Sequence, residues 1–213
     1  MEETYKEYAR SIWRDYNILP DVLEAEKQFR DQERAFAAAQ AVLANYPEGF
    51  GICLIHGHGA LDHGEILLAS GDVSEPTKIS ETLDFYPERW LASGKPYEFT
   101  TRPTKMPSPA LLEGFKTAMR GNTSLGLCYP MLEDGEVSPK PRMEWTEGRR
   151  ILTRLRKDGE VVDAQIPTSW TLQGEGLSAA WYCNVWCPPK TTKSGSGHSE
   201  RELLIYALLR RRT

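Results

Sequence analysis

The chain predicts an α+β fold: an N-terminal helical pair, a mainly antiparallel β-sheet and a C-terminal helix. Three observations predict it. Apolar residues recur at three- and four-residue spacings as far as Tyr46, and beyond Pro47 they give way to short alternating or continuous apolar runs. Gly-Asp and Asp-Gly dipeptides punctuate that second part, where tight turns need a left-handed backbone.

Tyr5, Tyr8, Ile12, Trp13 and Tyr16 line one face of a first helix, which Asn17 and Pro20 break. Val22, Ala25, Phe29, Phe36, Ala39, Val42 and Leu43 line a second, longer helix, and its Ala-rich part over 35–44 permits close packing. Strands follow at 50–56 and 65–69, read as a hairpin joined by a histidine-rich loop and closed by Gly71-Asp72. Further strands are expected at 97–101, 124–129 and 179–186, with a helix at 108–120. Residues 150–157 alternate Ile151, Thr153 and Leu155 with Arg150, Leu152, Arg154 and Arg156, and Asp158-Gly159 turns the chain so that 160–166 returns beside them. Asp134-Gly135 marks another turn, and the polar stretch 191–197 is a loop before the last helix at 199–212. No internal repeat, P-loop or dinucleotide fingerprint occurs.

Length and composition bound the rest. A chain of 213 residues fits a single domain, 1–213, with a helical segment at 1–46 and a sheet-rich body at 47–213. The formal charge of −4 provides no general attraction for nucleic acid or an anionic membrane. The acidic opening Met1-Glu2-Glu3 lacks the apolar stretch of a signal peptide, and no apolar run reaches membrane-spanning length, so neither export nor insertion is expected. Four sparse cysteines suit reduced thiols, and the expected location is the cytoplasm.

The chemistry concentrates in His56-Gly57-His58-Gly59-Ala60-Leu61-Asp62-His63-Gly64-Glu65, which holds three of the four histidines. If the strand continues to residue 58, His56 and His58 point to one face and can share an ion. With His63 and Glu65 returning on the second strand, His56, His58, His63 and Glu65 form a candidate metal set of three imidazoles and a carboxylate, suited to zinc or ferrous ion. Glu65 doubles as a candidate general base, and Asp62 or Glu65 orients an imidazole if the work is metal-free acid–base catalysis. Glycines at 57, 59 and 64 otherwise suit an exposed loop whose histidines do nothing.

The same stretch resembles the first cupin motif, in which a glycine precedes His-x-His and a glutamate and glycine follow. That resemblance covers Gly51 to Gly71 and implies a cupin-like β-barrel as the alternative fold. The carboxylate falls late, at Glu65, and the remaining histidine, His198, lies before the last helix. The His-x-His and Gly-Glu block, Tyr86 to Trp90 and Trp181 to Cys183 are together similar to uncharacterised small proteins of filamentous fungi. This resemblance implies a shared fold and no substrate.

A second cluster, 181–189, carries Cys183 and Cys187. On one strand these thiols lie about 13 Å apart, too far to share a metal unless the chain turns, in which case His198 could join them as a second site. Tyr182, Asn184 and Trp186 on the opposite face are suited to line a pocket or a partner surface, so a non-catalytic interaction protein using the Trp/Tyr-rich strand 181–186 competes with a metalloenzyme acting on a small molecule. Arg149, Arg150, Arg154 and Arg156 form a basic row able to receive an anion or simply to face solvent.

Overall fold

In the computed structural model, residues 2–29, 31–129, 141–157, 165–174 and 176–184 are described. Four helices come first: α1 (Glu2–Ala9), α2 (Ile12–Asn17), α3 (Val22–Gln28) and α4 (Gln32–Asn45). The expected helical pair is thus cut twice more than its apolar spacing suggested. The first cut falls at Arg10-Ser11. The second includes Asp31, which adopts a left-handed backbone (φ 54°) that Asp tolerates better than most residues. Asp21 caps α3 by accepting from the Glu24 N–H at 2.8 Å.

The strands are β1 (Gly51–Leu54), β2 (Glu65–Ser70), β3 (Val73–Lys78), β4 (Tyr86–Trp90) and β5 (Pro96–Thr100), then helix α5 (Pro109–Ala118). They continue as β6 (Leu125–Cys128), β7 (Arg142–Glu147), β8 (Arg150–Leu155), β9 (Gln165–Gln173) and β10 (Gly176–Asn184). Ser108 caps α5 through the Leu111 N–H, and Pro109 fits its first turn.

The sheet closes into a ten-stranded barrel in the order β1-β6-β4-β5-β2-β3-β8-β7-β10-β9, with β9 returning to β1 through Ile52 opposite Trp170. Closure agrees with the barrel alternative. The pairings are antiparallel except β2 with β5 and β7 with β10. One expected pairing is corrected. The strands flanking the histidine loop are not a hairpin: β1 pairs with β6 and β9, while β2 pairs with β3 and β5. The reason is that α2 and the turn after it at Pro20 hold the loop. The Gly57 N–H donates to the Pro20 carbonyl at 2.8 Å, the His58 N–H to the Tyr16 hydroxyl at 3.0 Å, and Asn17 exchanges two bonds with the Leu61 backbone. Strand β8 lies between β3 and β7, while most of the expected return strand, 160–164, lies outside the described residues.

The turns at Asp134-Gly135 and Asp158-Gly159, the loop 191–197 and the C-terminal helix lie outside the described residues. Among the described residues, no helix is long and apolar enough to cross a membrane.

Apolar burial fastens the helices to the barrel. Helices α1 and α2 bury Tyr5, Ile12 and Tyr16 with Ile66, Phe85, Tyr97 and Phe99, whereas α3, α4 and α5 bury Val22, Leu43 and Phe115 with Leu54, Trp90 and Leu125. Each such large side chain contributes about 1.5–3 kcal/mol when fully removed from water.

Candidate metal centre

Strand β1 is buried along its whole length, and the Ile55 N–H continues its ladder with β6 by donating to the Ser124 carbonyl at 2.7 Å. The two residues that matter come next. His56 and His58 are 0% and 4% exposed, not displayed on a solvent loop, and their rings lie 4.8 Å apart. Each imidazole is anchored through Nδ1: His56 on the Leu54 carbonyl at 2.8 Å, His58 on the Thr146 hydroxyl at 3.0 Å. Both Nε2 atoms then face one oxygen, Glu144 Oε1, at 3.6 and 3.7 Å.

Tautomer logic makes this arrangement chemically demanding. A carbonyl only accepts, so the neutral His56 ring carries its proton on Nδ1 and presents a lone pair at Nε2. That buried Nε2 has no hydrogen-bond partner among the described residues, and it confronts a carboxylate oxygen that also only accepts. Something positive belongs between them, either a proton or a metal ion.

Glu144 reaches the same place from β7. Burial alone would raise its carboxyl pKa, but Arg89 together with His56 and His58 outweighs that and holds it well below the usual carboxylate range. Its Oε2 faces Arg89 Nη2 at 3.5 Å, and Oε1 also accepts from the Thr168 hydroxyl at 3.3 Å. Cys183, fully buried on β10, stands directly opposite Glu144 in the parallel β7–β10 register.

The ligand atoms of His56, His58, Glu144 and Cys183 all lie within 4.8 Å of one another. A tetrahedral ion with bonds of about 2.0–2.3 Å separates its ligands by roughly 3.3–3.7 Å, so both histidine–carboxylate distances already suit one. The group could hold a metal ion. Anchoring the far nitrogen of each imidazole is also how proteins orient metal-bound histidines.

The structure brings His56 and His58 together but places the other residues expected at the site elsewhere. His63 is exposed and its ring packs on Trp13, 5.4 Å between centroids. Glu65 accepts from the Asp62 N–H at 2.7 Å and pairs closely with Arg149. Although burial raises the Glu65 carboxyl, these donors bring it below its ordinary range. Asp62 is exposed and faces Arg149 Nη1 at 3.6 Å, while Arg149 also donates to the Ala60 carbonyl at 3.0 Å. These contacts latch the histidine loop to the β7–β8 turn, which is the task the structure shows for Arg149 of the basic row.

Cys183 joins the histidine centre; Cys187 and His198, its expected partners in a second site, lie outside the described residues, as does Trp186. Trp181 has guanidinium groups at 5.7 Å (Arg89) and 5.5 Å (Arg142), and Tyr182 has Arg156 at 5.4 Å. The reading from sequence missed Glu144. Its only local signal is a carboxylate between Met143 and Trp145 in a strand, and nothing local ties it to histidines 86 and more positions earlier.

No protein-family model matches the chain, and no curated protein or solved structure matches it significantly.

Proposed function

We propose that this chain is a metalloprotein that binds one zinc ion through His56, His58, Glu144 and Cys183 and uses it on a small molecule. The observation that carries the reading is the buried Nε2 lone pair of His56 aimed at a carboxylate oxygen, with a second imidazole and a thiol beside it. A proton could relieve one such contact, but a divalent ion satisfies both imidazoles and the carboxylate at once. Zinc is favoured over ferrous ion because the donor set mixes two nitrogens and an oxygen with a thiolate.

The chemistry follows from the surroundings. The four protein atoms would complete a tetrahedron, so zinc held by them would supply Lewis acidity toward a substrate oxygen or water only by expanding to a fifth ligand. Arg89 holds Glu144 ionised, Thr168 and Thr146 orient carboxylate and imidazole, and the barrel wall excludes bulk solvent.

Elemental analysis of untagged protein tests the reading. Near-stoichiometric zinc that His56→Ala/His58→Ala loses, and that Glu144→Gln weakens, is expected. Protein that is metal-free and takes up neither zinc nor ferrous ion would overturn it, and near-stoichiometric iron would overturn the choice of zinc.

A further inference from the structure

On the far side of Glu144 from the histidines lies a cavity of about 60 Å³, walled by residues from seven adjacent strands, as only the inside of a closed barrel permits. A buried water needs about 10–15 Å³ on this measure, so the space suits four or five non-hydrogen atoms. Its walls include Arg89, Arg142, Trp181, Glu98 and Glu88. An irregularity in β4 puts two consecutive residues here: Pro87 lies opposite Phe99 and Arg89 opposite Glu98, so Glu88 is an extra residue and both it and Arg89 line the cavity.

Two guanidinium groups are incompletely used. Arg89 is nine-tenths buried and bonds Glu98 and Glu144 through Nε and Nη2, yet its Nη1 has no acceptor among the described residues. Arg142 bonds Asp72 through Nη1 at 2.8 Å, yet its buried Nε also lacks an acceptor. Leaving charged donors buried and unsatisfied is costly, and an oxyanion is their strongest acceptor. Of the four carboxylates in the lining, Glu98 and Glu144 take up Nε and Nη2 of Arg89, which leaves Arg89 Nη1 and Arg142 Nε as the donors an anion would meet. Asp72 sits at the rim with 60% of its side chain exposed, and burial pushes Glu88 up to about 7, so it carries little charge below neutrality.

We infer that the cavity binds a small monocarboxylate of about the size of acetate, its charge met by Arg89 and Arg142 beside the Trp181 ring. Placing this ligand next to a metal rests on the reading above; its binding does not. A carboxylate held here borders Glu144 on the face away from the histidines.

The test is calorimetric titration of sodium acetate against a chloride background of equal ionic strength. It uses chelator-stripped protein and zinc-loaded protein, with melting curves to confirm folding. One acetate per stripped chain is expected. Arg142→Gln should weaken it about tenfold or more, and Arg142→Lys, which keeps charge but loses the Nε donor, should also weaken it. Arg156→Gln, over Tyr182 and outside the cavity, should leave it unchanged. Zinc uptake without acetate binding overturns this inference alone. Acetate that binds only with zinc and ignores Arg142 sits on the metal and also overturns it. Arg142-dependent acetate binding in a protein that takes no zinc upholds the cavity and removes the metal from beside it.

Discussion

Single atoms decide the chemistry of this centre. The Thr146 hydroxyl holds the His58 ring by Nδ1 at 3.0 Å, so Thr146→Val should leave the imidazole free to turn and lower zinc affinity about 10- to 100-fold, measured by competition with a chromophoric chelator. Unchanged affinity would show that Thr146 does not position His58. Glu88 offers a prediction of opposite character. Burial raises its carboxyl from 4.5 to about 7, with Glu98 and Glu144 adding to the shift and Arg89 and Arg102 opposing it. Between those values the folded state binds more protons than the unfolded state, so stability falls as pH rises from about 4.5 through 7 and then levels off. Glu88 is only partly buried, and solvent screening limits the loss to about 1–3 kcal/mol. Glu88→Gln should therefore raise the melting temperature at pH 8 and hardly change it at pH 4; equal shifts at both would count against the raised carboxyl.

Among the elements, close strand approach is the strictest constraint. Gly126 of β6 lies opposite Cys53 of β1, and a Cβ there would meet the Trp90 carbonyl oxygen of β4 at 2.2 Å. Backbone cannot yield as a flexible side chain does, so Gly126→Ala should cost about 1–3 kcal/mol by urea denaturation. Gly49→Ala makes a useful contrast: its added methyl meets nothing within 4 Å, and its penalty would come from its left-handed backbone (φ 85°) alone. The elements also show how the centre is assembled. Parallel register sets Cys183 beside Glu144, and α2 ties down the loop that carries both histidines. Tyr16, fully buried between α2 and that loop, joins the helix layer to the site.

Across the whole molecule, the four ligands come from the loop after β1, from β7 and from β10, so an ion would staple distant parts of the barrel. Binding confined to the folded state stabilises by mass action, about 2.7 kcal/mol when free zinc is 100 times its dissociation constant. For a chain of this size that corresponds to about 5–10 °C, so chelation should lower the melting temperature by that amount and zinc should restore it. The His56→Ala/His58→Ala protein should show no such response; a response equal to wild type would place the stabilising ion elsewhere.

Much of the local structure was legible in the sequence. The spacing of Tyr5, Ile12 and Tyr16 and of Ala35, Ala39, Val42 and Leu43 marks the faces that are buried, and the expected helix at 108–120 nearly coincides with α5. His56 and His58 also stood out, because three of the chain's four histidines fall within eight residues. These signals are local: periodicity and residue chemistry act over a few positions and survive without knowledge of the fold. Barrel closure, the capture of the histidine loop by α2, and the arrival of Glu144 and Cys183 beside it are contacts between positions 42 to 127 residues apart. Nearby candidates, His63 and Glu65, were drawn away by Trp13 and Arg149, contacts that no spacing announces. Sequence by itself determined which residues are suited to bind an ion; only the packed barrel decided which of them meet, because strand register and loop anchoring are settled by burial of the whole sheet.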